Sequence, residues 1–375
     1  MQRLVGAIMI VAGTSIGIGM LTLPAFLASS GLLYASICII GVWAIMWAAA
    51  LAFAELSWHL PIGTNMLNMS EQTLGKVGKI LMGINYIMLL YTLSSMYLSS
   101  LNAISGYLLP SVESYAIYFW VLILALLLFF SFKILDASNR LMMIVMIMSF
   151  LGLVFGLSFS ENHVEHIALT GPVIKAMHVL PLLITSYGFQ IVVPSVHGKL
   201  GNDSSKQLKA ALLYGSLIPL IFYLLWFWVM MHQLTPSVFS EMIATGQPVA
   251  LLPEYLARIL KSDWVKPLSM CLVCSAIATS LLGVSLSILD FFKDSKLARY
   301  ALVFTLLPPF LLVKFWPNIF LMALQYSGYL VAILLIIFPA IMLLSYRRQH
   351  KISEQFISPV ALILVLLFGI LVLFL

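Results

Sequence analysis

The stretch VAGTSIGIGM, residues 11–20, sets Gly13, Thr14, Ser15, Gly17 and Gly19 within seven residues inside a long apolar run. Glycine weakens a helix interior by about 1 kcal/mol and proline by about 3. This spacing therefore predicts a break in a segment otherwise suited to crossing a membrane. A second weak centre lies in HVLPLLITSYGFQIVVPSVHG, residues 178–198, where Thr185, Ser186, Tyr187, Gly188 and Phe189 sit between Pro181 and Pro194. A broken helix frees backbone N–H and C=O groups that lipid cannot satisfy, so they must face protein, water or a ligand. The N–H groups of Ser15, Ile16 and Gly17 are expected to face an anion at the start of a half-helix. Carbonyls near Ala12, Gly13, Thr185 and Ser186 suit an ammonium group. The two together complement a zwitterion, and an α-amino acid is the natural fit. The plainer alternative is helix packing, since GTSIG (13–17) is also a G-x-x-x-G and membrane prolines are often simple kinks.

Other chemistry-bearing residues are scattered. Glu55 ends the apolar run WAAALAFAEL, where an intramembrane carboxylate suggests a proton relay; the alternative is a carboxylate reaching the interface or a basic loop residue. His178 lies three residues from Lys175 and is a second proton-coupling candidate, against a structural hydrogen-bonded histidine. Asp136 and Asp290 sit at span ends beside Lys133, Arg140 and Lys293, which reads as ion pairing rather than chemistry. Cys271-x-x-Cys274 has a redox spacing, but inside an apolar run it places two small side chains on one helix face. The sequence carries no metal-ligand cluster, phosphate loop or nucleophile triad, and nothing in it calls for a cofactor.

The elements that must position these residues follow from composition. Of 375 residues, 62% are hydrophobic and 9% charged, against about 25% charged in a soluble domain. A spanning helix needs about 20 apolar residues. Apolar runs place spans at 5–27, 33–56, 79–105, 117–133, 141–158, 175–197, 208–232, 265–290, 298–316, 320–345 and 358–374. The runs are continuous, which argues against a β-barrel. The residues after Met1-Gln2-Arg3 read as an uncleaved first span. Residues 233–263 form the longest polar connection, and PVALLPEYLARILKS within it reads as a short amphipathic helix. With the N-terminus in the cytoplasm, fourteen Lys and Arg fall on the cytoplasmic side and five on the other. That bias predicts a cytoplasmic N-terminus and a periplasmic C-terminus. The net charge of +6 is thus accounted for by topology, not by nucleic acid. The weak centres lie in the first and sixth spans. Five spans per unit is an odd number, so a repeat of the unit must be inverted. The expected fold is an all-α polytopic membrane protein of about eleven transmembrane helices. It is a single domain over 1–375, with repeat one at about 5–158, repeat two at about 175–345 and an extra helix at about 358–374.

VAGTSIGIGMLTLP (11–24), TSYGFQIVVPS (185–195) and ATSLLGVSLSILDFF (278–292) resemble the bacterial aromatic amino acid permeases, the tyrosine- and tryptophan-specific transporters. The likeness extends through Asn139-Arg140, LPP (307–309) and ALQYSGYL (323–330), over nearly the whole chain. It implies the amino acid–polyamine–cation transporter fold, a LeuT-like 5+5 inverted repeat with discontinuous first and sixth helices. It also implies proton-driven uptake across a bacterial inner membrane. Carried over by motif, Gly13, Thr14, Ser15, Ile16, Gly17 and Gly19 line the substrate backbone site, and Thr185, Ser186, Tyr187, Gly188 and Phe189 form its other side. Tyr91 in the third span is a candidate to stack on an aromatic substrate, with ordinary packing as the alternative. Ser280 and Gln325, with Tyr326, are further pocket candidates.

The expected function is a secondary active transporter importing an aromatic amino acid with protons, tyrosine foremost, with tryptophan or phenylalanine as alternatives. The fifth span has no ionisable residue, which leaves the proton carrier unassigned. Sodium is the alternative coupling ion, with Thr279, Ser280 and backbone carbonyls as conceivable ligands. Expected partners are a small amino acid and the lipid bilayer. Alternatives are a non-aromatic amino acid permease or a transport-inactive amino acid sensor. An enzyme would need convergent acids or histidines at one depth, and a channel would need a ring of charges or a filter loop.

Overall fold

The computed structural model describes residues 2–129, 132–159, 168–201, 204–293, 297–350 and 355–375, and every regular element among them is helical. The chain begins with α1 (Gln2–Ser15) and α2 (Ile18–Leu27), which meet at a 50° bend. Gly31 then turns the chain into α3 (Leu32–His59). α4 (Met66–Leu108) is split at Gly75, whose φ of 75° no side chain readily adopts. Its first two turns are thereby set off from a long apolar helix, in keeping with a span expected to start near 79. α5 (Glu113–Phe129) and α6 (Phe132–Ser158) follow.

The next crossing is assembled from pieces: α7 (Val173–His178), α8 (Leu180–Ser186), a 3-10 turn Phe189–Val192 and α9 (Val193–Leu200). Pro181 and Pro194 stand in the first turns of α8 and α9, where a missing N–H costs nothing. The two prolines therefore start new helices rather than kink one helix. α10 (Ser205–Gln233) is long and continuous. Two short helices, α11 (Pro236–Ala244) and α12 (Leu252–Leu260), fold over the end of the bundle remote from the N-terminus. α12 is the expected amphipathic helix, burying Leu252, Tyr255, Leu256 and Leu260. α11 was not expected from the sequence; it packs on α2 through buried Phe239 and Met242. The segment is tied down where Gln247 donates to Ser99 Oγ (2.8 Å), which in turn donates to the Pro317 carbonyl (3.0 Å).

α13 (Val265–Lys293) and α14 (Ala301–Phe315) lead to α15 (Ile319–Val331), a π-helical stretch Ala332–Ile337, and α16 (Phe338–Gln349). α17 (Pro359–Val372) packs on the π-helical stretch and on α3. Among the described residues, eight helical segments are long and apolar enough to span a bilayer, and the bent α1–α2 pair makes a ninth. α5 and α17 are shorter but equally apolar. The chain is a multi-pass membrane protein.

Glu55 holds the N-terminal side of the bundle together. It is fully buried, and its oxygens accept from Arg347 Nε (2.8 Å), Arg347 Nη2 (2.7 Å) and the N–H groups of Phe356 (2.6 Å) and Ile357 (3.3 Å). Arg347 also donates to the Ile357 carbonyl at 2.7 Å. This fork joins α3 to the end of α16 and to the chain entering α17. The interface alternative for Glu55 thus takes the form of a buried anchor. Among the other acids, the side chains of Asp136 and Lys133 lie outside the described residues. Asp290 is exposed at the end of α13 and makes no ion pair among the described residues.

Removing one partner of a buried ion pair leaves the other uncompensated, at about 3–5 kcal/mol. Glu55→Ala is therefore expected to lower the thermal midpoint in detergent sharply, and Glu55→Ala/Arg347→Met to recover part of the loss. A double variant less stable than the single one would refute the anchoring role.

Candidate functional site

The broken crossings face each other. α2 packs on α8, and α1 on α9 and the 3-10 turn. Their approach is close because Gly19 lacks a side chain: a Cβ there would stand 2.6 Å from Ser186 Oγ and 3.1 Å from Ser186 Cα. The packing alternative thus holds at Gly19, which lets the two breaks touch.

Tyr223, fully buried on α10, joins the breaks. Its hydroxyl lies 2.5 Å from the Ser15 carbonyl and 2.6 Å from the Ser186 carbonyl. These are the last residues of α1 and α8, whose carbonyls have lost their helical partners. One hydroxyl proton serves both acceptors in turn, so the two breaks share a single donor. The ring of Tyr187 backs onto Tyr223 at 4.9 Å between centroids.

Beside this junction lies a cavity of about 600 Å³. Gly13, Thr14, Ser15, Ile16, Gly17 and Gly19 line it from the first crossing, Thr185, Ser186 and Gly188 from the second, and Ser280 from α13. Its lining on α4 runs from Tyr86 to Tyr97, on α6 from Leu135 to Met146 and on α13 from Thr279 to Ser287. Each stretch ends near mid-helix and continues toward the end of the bundle where α1 begins. The cavity thus reaches that end, while α11 and α12 cover the opposite one.

Three backbone details differ from the sequence expectation. Ser15 lies within α1, and the Ile16 N–H is taken by the Ala12 carbonyl at 3.2 Å. The N–H groups without a helical partner are those at the start of α2, from Gly17 to Gly19, where no side chain caps the helix. The free N–H groups are thus displaced toward α2, because α1 closes one more turn before breaking. The Ala12 carbonyl is likewise occupied. Ser15 adds a polar group of its own: its Oγ is buried, lines the cavity and has no protein partner.

Several candidates stand away from the cavity. Tyr91 turns outward and donates to the Phe304 carbonyl at 2.8 Å. Six residues on, at a different helical phase, Tyr97 lines the cavity instead. Tyr187 and Phe189 are fully buried behind the break. Gln325 is exposed and donates to Tyr329 OH at 3.1 Å. His178 is exposed and donates from Nδ1 to the Ile174 carbonyl at 2.7 Å. Glu55 is held in its anchor. The sequence does not mark Tyr223, Asn139 or Gly283 as site residues, although Asn139 and Gly283 fall within the motifs of the resemblance. Asn139 is in addition a polar residue at the foot of an apolar run.

A model of the tryptophan/tyrosine permease family matches residues 1–375. A tryptophan-specific transport protein of Pseudomonas aeruginosa is 31% identical, with 98% of this chain and 92% of the relative covered. The tyrosine-specific transport system 1 of Haemophilus influenzae is 29% identical over 99% of this chain and 96% of its own. The low affinity tryptophan permease of Escherichia coli is 26% identical over 91% and 87%.

Tyr223→Phe keeps the ring and removes the shared donor, leaving two buried carbonyls short of a partner. The expected cost is about 1–3 kcal/mol in thermal stability. An unchanged midpoint would show that the hydroxyl does not hold the breaks.

Proposed function

The chain belongs to the tryptophan/tyrosine permease family, and from that premise we propose that it imports aromatic amino acids across a bacterial inner membrane by coupling to a proton gradient. The observation that carries this reading is the pair of broken crossings, tied break to break by Tyr223 on the wall of a cavity large enough for such a substrate. Relatives described as specific for tryptophan or tyrosine support the aromatic class.

In this reading the bent first crossing, the eight long segments and α5 and α17 make eleven crossings. The first five and the next five form the inverted repeat, and α17 is the extra helix. Cytoplasmic N-terminus and periplasmic C-terminus follow from the basic residues in the loops. The cavity then opens to the cytoplasm, as after substrate release.

The substrate carboxylate sits at the start of α2, where unpaired N–H groups and the positive helix end attract it. Gly17 lets it come close, and Ser15 Oγ is at hand as a further donor. The ammonium group faces the carbonyl side of the second break, near Thr185 and Ser186. Because both breaks hold one ligand and share one tyrosine, binding favours moving them together, which is what alternating access needs. Glu55, held in its anchor away from the cavity, is not assigned the proton. Sodium, with Thr279 and Ser280 as cavity-lining ligands, is the alternative coupling ion.

Uptake into proteoliposomes with all twenty amino acids as competitors, under imposed proton or sodium gradients, tests the reading. Competition by tyrosine, tryptophan and phenylalanine, with accumulation driven by a proton gradient, is expected. Binding without counter-flow of labelled substrate would make the protein a sensor. Gly17→Leu, which projects a side chain toward Ser280, is expected to abolish uptake while membrane insertion stays normal; normal uptake would rule out the carboxylate site.

A further inference from the structure

Gly283 lines the cavity at a position where neither packing nor backbone geometry requires a glycine. Most glycines in the bundle sit where another element presses on them. A Cβ at Gly215 would meet Val11 Cβ at 2.5 Å, and one at Gly156 would run into the ring of Trp264. At Gly283 an added Cβ meets nothing within 4 Å. Gly283 also lies in the interior of α13, where glycine weakens a helix, and it is exposed to the cavity. Helix stability argues against a glycine there and no neighbour requires one; Gly41 in α3 also meets nothing, but only Gly283 of the two keeps that space open inside the cavity.

That space lies where a substrate side chain would go. α13 approaches the first break at Ser280, whose Oγ stands 3.0 Å from a Cβ placed on Gly17. Gly283 is nearly one turn further, about 4.5 Å along the helix axis, in the direction in which the cavity extends. The step is comparable to that from an amino acid's α-carbon to the centre of its ring. The same cavity is lined by Leu93 on α4 and by Met143 and Met146 on α6, the two helices on which α13 packs. Thioethers pack well against aromatic ring edges. Another turn along, Ser287 on α13 adds a polar group at the end of this slot.

We propose that Gly283 is a specificity-determining residue: it reserves the volume for the aromatic ring, which lies flat against the bare helix backbone between the Leu93 and Met143 sides. The inference rests on the import of aromatic amino acids and fails with it. It goes further in assigning the size limit of the substrate to one position. Any side chain at 283 takes that volume, and the bicyclic indole suffers before the single ring of tyrosine.

The test is uptake of labelled tryptophan and tyrosine into proteoliposomes by wild type, Gly283→Ala and Gly283→Leu, with inserted protein and thermal midpoint measured alongside. Alanine fits without a clash and favours the helix, so the midpoint of Gly283→Ala should be equal to wild type or higher. Its KM for tryptophan should rise about tenfold, and more than its KM for tyrosine. Gly283→Leu should lose tryptophan uptake by about a hundredfold. If Gly283→Leu inserts poorly, Gly283→Ala alone decides. Wild-type KM values for tryptophan in Gly283→Ala would overturn the assignment while leaving the transport reading intact. A wild-type protein that imports no aromatic amino acid would overturn both.

Discussion

A peptide group in hydrocarbon must have a hydrogen-bond partner, and much of this structure follows from breaking that pairing in two places at once. The carbonyls of Ser15 and Ser186 end two interrupted helices within reach of one hydroxyl. Neither break could face lipid. Each is placed against the other, against a buried tyrosine and against a cavity. What one protein donor supplies in alternation, a bound molecule with its own donors and acceptors can complete. The weak points of the fold are therefore also part of the wall of its cavity.

Around this junction the bundle is asymmetric. The end remote from the N-terminus is covered by α11 and α12, tied down through Gln247 and Ser99. The other end is open along α4, α6 and α13, yet crossed by the Glu55–Arg347 fork, which binds α3 to the last two helices. A fully buried carboxylate with four donors around it is a rigid element. Its seat away from the cavity separates anchoring from ligand binding.

The sequence made local chemistry legible and left long-range partnership hidden. Gly13 to Gly19 and Pro181 to Pro194 announced both breaks, because glycine and proline act on their own turn of helix. The apolar runs marked the eight long helical segments and the bent first pair. The helical phase that turns Tyr91 away and Tyr97 inward depends on which neighbours α4 meets. The extra turn that occupies the Ile16 N–H depends on where α1 finds its packing limit. Neither is written in residue types. α11 went unseen because its apolar face is short and acquires meaning only against α2.

Taken alone, the sequence determined that this chain lives in a bilayer and where its helices fail. These follow from transfer energies and backbone conformations that each residue brings with it. Tertiary structure decided which groups share the freed carbonyls, that Glu55 is an anchor 292 residues from its partner, and that Gly283 borders empty space rather than a neighbour. Those outcomes depend on distances between segments remote in the chain, which no residue carries within itself.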